Sequence, residues 1–123
     1  MANENANANG IPFQRLDVYA VAREFAAQVH ALPLADEELR DQLRRASKSA
    51  FLNLSEGLPA ESAGLRRRAF AVAAGSLCES AAALDLAAAI GLVPPPRAAE
   101  LVALAARVKR MIRALTAAGT AGR

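Results

Sequence analysis

The chain has 123 residues, enough for one domain around one core. Apolar residues make up 54 % and aromatics only 4 %, and a net charge of +3 excludes the dense cationic surface of a dedicated nucleic-acid binder. A single cysteine, Cys78, excludes an intrachain disulfide and suits a reducing compartment, so a cytoplasmic setting is expected. The charge is unevenly spread. Residues 97–123 hold six basic side chains against Glu100, a balance of +5, and the rest of the chain sums to −2.

Residues 1–12 are rich in Asn and read as a disordered arm without the basic and apolar parts of a signal peptide. A first helix is predicted from about Asp17 to Leu32, stopping before Pro33, with Val18, Ala22, Phe25, Val29 and Leu32 at helical spacing. A second begins at Asp36, an N-capping residue, and carries Leu39, Leu43, Ala46, Ala50 and Leu54 on one face. Gly57 is expected to end it in a left-handed conformation, with Pro59 just beyond. The third runs from Ser62 to about Ile90 and stops at Gly91, with Leu65, Val72, Leu86 and Ile90 as its expected core face. Pro94-Pro95-Pro96 reads as a stiff connector, followed by a fourth helix from Arg97 to Ala117. Leu101, Leu104, Ala105, Val108, Met111, Ile112 and Leu115 form its stripe. No apolar run escapes interruption long enough to suggest a membrane span, so no membrane partner is expected. The whole reads as an all-α, antiparallel up-down four-helix bundle over residues 13–117, with a flexible tail at 118–123.

Three groups of side chains stand out. Phe51 and Leu52 leave the core stripe of the second helix, and Ala71, Ala74, Cys78 and Ala82 lie opposite the expected core face of the third. A helix that is apolar nearly all round calls for burial on two sides, so these six residues are the candidate interface of a homo-oligomer. Glu79 falls on the expected core face of the third helix and needs partners there. A polar row on the second helix offers them, so Arg44, Arg45, Asn53, Glu56, Ser76 and Glu79 are expected to form an inter-helix network. Basic residues form the third group: Arg66, Arg67 and Arg68 at the start of the third helix, and Arg107, Lys109, Arg110 and Arg113 on the fourth. These are candidate phosphate contacts for nucleic acid, and with no aromatic residues among them binding should follow backbone and shape.

Catalytic signals are missing. Only His30 could serve as an imidazole base, and it lies outside any Glu-x-x-His pattern. No nucleophile elbow, phosphate loop or dinucleotide fingerprint occurs, so neither enzyme activity nor a cofactor, metal or small-molecule substrate is expected.

Three blocks resemble a known family. Phe13-x-x-Leu16-x-Val18-Tyr19 opens the match. Gln42-Leu43-Arg44-Arg45-Ala46, Ser49 and Asn53-Leu54-Ser55-Glu56-Gly57 follow in the second helix. Phe70-x-Val72-Ala73-x-Gly75-Ser76-Leu77-x-Glu79 lies in the third, with Leu86-Ala87 and Gly91-Leu92 in step. Together, over about residues 13–115, they resemble the four-helix bundle family of the 23S rRNA intervening sequence protein, also labelled S23 ribosomal protein-like. The resemblance implies a bundle that assembles into a ring, with a homopentamer favoured, and kinship with accessory proteins of diversity-generating retroelements. Its implied partners are copies of itself and RNA or an RNA-associated protein, the alternative being a protein-interaction scaffold that binds no nucleic acid. The sequence departs from the family pattern in a short connector from Pro33 to Asp36, and in Arg66 and Ala69, where bulky apolar residues are usual.

Overall fold

The computed structural model describes residues 16–121, with side chains through Ala117; the expected arm at 1–12 and Phe13 lie outside this range. The described residues form four helices: α1 (Asp17–Ala31), α2 (Glu37–Gly57), α3 (Ala63–Ala89) and α4 (Pro95–Ala121). Each packs on two neighbours, α2–α3 being the most extensive pair and α4 closing on α1, which is the square section of an up-down bundle.

Local chemistry sets the boundaries. Leu32, extended ahead of Pro33, ends α1. The Asp36 carboxylate accepts from the Leu39 amide at 2.8 Å to start α2, and the Ser62 hydroxyl accepts from the Leu65 amide at 3.2 Å to start α3. Gly91, at φ 82°, closes α3, and the Leu92 amide reaches back to the Ala87 carbonyl at 2.8 Å.

Three boundaries differ from expectation. Pro95 and Pro96 are the first helical residues of α4, not a connector. The first turn leaves its amides unbonded in any helix, so prolines fit there at no cost in hydrogen bonds. The amides of Arg97 and Ala98 both donate to the Pro94 carbonyl at 3.0 Å. At its far end α4 continues to Ala121, past the expected stop at Ala117. Gly57, in turn, is no left-handed cap: it is helical, and Leu58 after it keeps right-handed angles. Its role is close approach, because a Cβ there would lie 2.7 Å from the Phe70 ring and 3.1 Å from the Ala69 methyl. Gly57 therefore lets the end of α2 sit against the start of α3.

The core faces of α1 and α2 are those expected, from Val18 to Leu32 and from Leu39 to Leu54. On α4, Ala98, Leu101, Ala105, Val108 and Ile112 are buried, Leu104 and Met111 pack at the edge, and Leu115 is exposed. The expected face of α3 is overturned. Phe70, Ala73, Leu77, Leu84 and Ala87 are buried, and Leu65, Val72, Leu86 and Ile90 are 63, 43, 50 and 54 % exposed. Two buried serines hide the true face from a count of apolar residues. Ser80 donates to the Ser76 carbonyl at 2.8 Å, and Ser76 meets Ser49 on α2, so both hydroxyls are satisfied within the core. By length and composition alone α3 could also cross a membrane, contrary to the sequence expectation; here one side of it packs on α2 and α4 as the core helix of a bundle does.

The helical glycines Gly57 and Gly75 should respond oppositely to alanine. Gly57→Ala overpacks Phe70 and should lose roughly 1–2 kcal/mol net of its better helix propensity. A methyl group at Gly75 would meet nothing within 4 Å, so Gly75→Ala should gain up to about 1 kcal/mol. Urea midpoints of the two variants against the parent chain check both signs.

Candidate nucleic-acid interface

The seven basic candidates do not form one patch. Successive residues on a helix turn by about 100°, so on α4 Lys109 and Arg113 face the α3 side, while Arg107 and Arg110 fan outward. From α3, Arg67 comes to the same side. Arg67, Lys109 and Arg113 line a groove of about 370 Å³ between α3 and α4. Phe70, Ala71, Ala74 and Ile112 form most of its floor, and Thr116 closes one end. Among the described residues no carboxylate lies within ion-pair distance of these three cations. The Lys109 ammonium donates to the Cys78 sulfur at 3.3 Å, which anchors the lysine on the groove edge. The sequence suggested no cation near Cys78, because the two residues are 31 positions apart.

Arg66 and Arg68 turn elsewhere. The Arg66 guanidinium donates to the Ala60 carbonyl, tying the α2–α3 connector down, and its Nε is buried without a partner. Arg66 therefore serves the connector and takes no part in the α3–α4 groove. Arg68 borders a second cavity of about 370 Å³ between α2 and α3, with Glu56 and Asn53 opposite and Leu65 and Val72 as apolar walls.

The expected polar network is smaller and uncharged. Ser49 and Ser76 hydroxyls meet at 2.9 Å across α2 and α3, and the Asn53 amide donates to the Ser49 carbonyl at 2.9 Å and to its hydroxyl at 3.2 Å. Glu56, Glu79 and Arg45 are exposed, because the true core face of α3 turns Glu79 outward and removes the need to neutralise it. Arg44 serves another junction: it donates to the His30 carbonyl at 3.1 Å, joining α2 to the end of α1.

The candidate oligomer contacts also divide. Phe51 packs within the chain against Tyr19 of α1, ring centroids 5.1 Å apart, so it needs no second copy. Ala71, Ala74 and Cys78 belong to the basic groove or its edge. Leu52 and Ala82 remain exposed, Leu52 to 55 %. Sequence reasoning missed an exposed apolar stripe, Leu65, Val72, Leu86 and Ile90. Its signal was present: Leu65, Val72, Glu79 and Leu86 are seven apart, a spacing that keeps one line along a helix face.

The family model of the 23S rRNA-intervening sequence protein matches residues 14–114. The chain belongs to that family. A comparison with curated proteins found no match. The matched span covers the cations and floor of the groove and the whole α2–α3 contact. Of the residues that carry the resemblance in this member of the 23S rRNA-intervening sequence family, Ser49, Asn53, Gly57, Phe70 and Ser76 meet between α2 and α3. Their shared task is to seat two helices on each other. Among the described residues no cluster of His, Cys, Asp and Glu could hold a metal ion.

Ser76→Ala should therefore cost about 0.5–1.5 kcal/mol, the worth of its hydrogen bond to Ser49. Glu56→Gln and Glu79→Gln should each stay within about 0.5 kcal/mol of the parent chain. Equilibrium urea unfolding separates these outcomes.

Proposed function

We propose that this chain is a non-enzymatic, self-assembling module that binds RNA through phosphate contacts from its basic surfaces. The observation that carries the reading is the convergence of Arg67, Lys109 and Arg113 on one groove free of lining carboxylates. Arg107 and Arg110, exposed beside it, extend the positive field over the outer face of α4. The family description, 23S rRNA-intervening sequence protein, makes RNA the first polyanion to test.

Self-assembly is supported by the exposed stripe on α3. Leu65, Val72 and Leu86 along α3 and Ile90 at its end, with small Gly75, Ala82 and Ala89 beside them and Glu79 as the one charge in the line, form a mostly apolar seam suited to another helix. A closed ring, the pentamer implied by the resemblance, repeats the basic groove on every subunit. Weak contacts then add through effective concentration. The scaffold alternative, without nucleic acid, predicts the same assembly but no RNA affinity.

Titration of the purified protein with a structured RNA should show submicromolar binding that weakens steeply between about 50 and 200 mM salt. Arg110→Glu combined with Arg113→Glu should abolish it; absence of binding at low salt would leave the scaffold. Light scattering should find an oligomer that Val72→Glu with Leu86→Glu reduces to monomers of unchanged helicity, since both sites are exposed. A monomeric parent chain at micromolar concentration would refute self-assembly.

A further inference from the structure

We propose that the α3–α4 groove selects unpaired RNA, with one base lying on the apolar floor while flanking phosphates meet Arg67, Lys109 and Arg113. This rests on the RNA-binding reading and adds the form of RNA recognised.

The groove has two chemistries that a duplex cannot use together. Its rim is cationic from both helices, and its accessible floor is Ala71 and Ala74, lying over the buried Phe70 and Ile112. Paired strands keep their base faces stacked inside the helix and offer a protein phosphates and hydroxyls. Against a duplex the floor would meet only polar groups. An unpaired strand brings a flat, weakly polar base face and a phosphate on either side of it, which matches floor and rim at once. The short side chains of Ala71 and Ala74 keep the floor low. A volume of about 370 Å³ lies in the range of small-ligand sites and suits one nucleotide rather than a helix.

No aromatic ring is offered for stacking: Phe70 is 4 % exposed. The planar groups available are the Arg67 and Arg113 guanidiniums, which can lie against a base as well as neutralise a phosphate. Lys109 and Arg113 are one turn apart, about 6 Å along α4, so the strand is contacted at successive points. Arg107 and Arg110 have equal charge and no floor beneath them, so they add affinity without distinguishing the two forms of RNA.

Fluorescence anisotropy with three RNAs tests this: a labelled single strand of about 12 nucleotides, its duplex, and the same strand with abasic positions. The single strand should bind at least about fivefold more tightly than either of the others. Ala71→Leu, a change at an exposed site, should remove most of that preference while leaving duplex affinity and the salt slope unchanged. Equal affinity for all three RNAs, with no effect of Ala71→Leu, would overturn the base-on-floor inference and leave phosphate binding standing. Failure of every RNA to bind at low salt would overturn both readings.

Discussion

The contact between α2 and α3 fixes the rest of the bundle. At one end the backbone of Gly57 lies against the Phe70 ring, closer than any side chain at that position would permit. Two turns further along, the Ser49 and Ser76 hydroxyls meet across the same line, and Asn53 donates to Ser49 from within α2. The first contact sets the distance between the helices, and the second sets their register. This part-buried hydroxyl pair forms only when the helices are aligned, so slippage would cost the one side-chain hydrogen bond described between them. Once α3 is held in that rotation, Phe70, Leu77 and Leu84 must point inward. Leu65, Val72 and Leu86 must then line its shoulder, and Ala71 and Ala74 must face the flank of α4.

That rotation divides the functions of a single helix. One side of α3 completes the core, a second carries an apolar seam open to solvent, and a third makes half of a cationic groove. The low aromatic content and abundance of alanine make this possible, since small side chains let α2 and α4 both approach α3 closely. The α1–α2 corner is handled by different means. Arg40 and Arg44 donate to the carbonyls of Leu34 and His30, so charged side chains close a short connector that has too few residues to close itself.

Helix existence was legible in the residues because Pro33, Asp36, Pro59, Ser62 and Gly91 punctuate the chain with distinct physical signals. The faces of α1 and α2 were legible too, since large apolar residues recur there on one side only. On α3 periodicity fails, because apolar residues surround the helix and two serines occupy the core. Only their inter-helix and carbonyl hydrogen bonds, invisible in one dimension, mark the buried side. The error spread from there: placing Glu79 inside required an ionic network that the fold has no need to build. The basic residues were identified by composition, but which of them converge depended on how α3 and α4 are rotated. Arg66 shows the limit of counting charge, for its guanidinium is used by the backbone of Ala60.

Cys78 has a practical consequence. It is the chain's sole thiol, exposed, and in contact with Lys109 at the groove edge. A maleimide dye attached there would label each copy of the chain once, at the same place, without mutagenesis. Its emission would report the arrival of anything in the groove, and energy transfer between copies would measure the spacing of neighbouring grooves in an assembly. The molecule thus carries its own spectroscopic handle where the recognition is expected to occur.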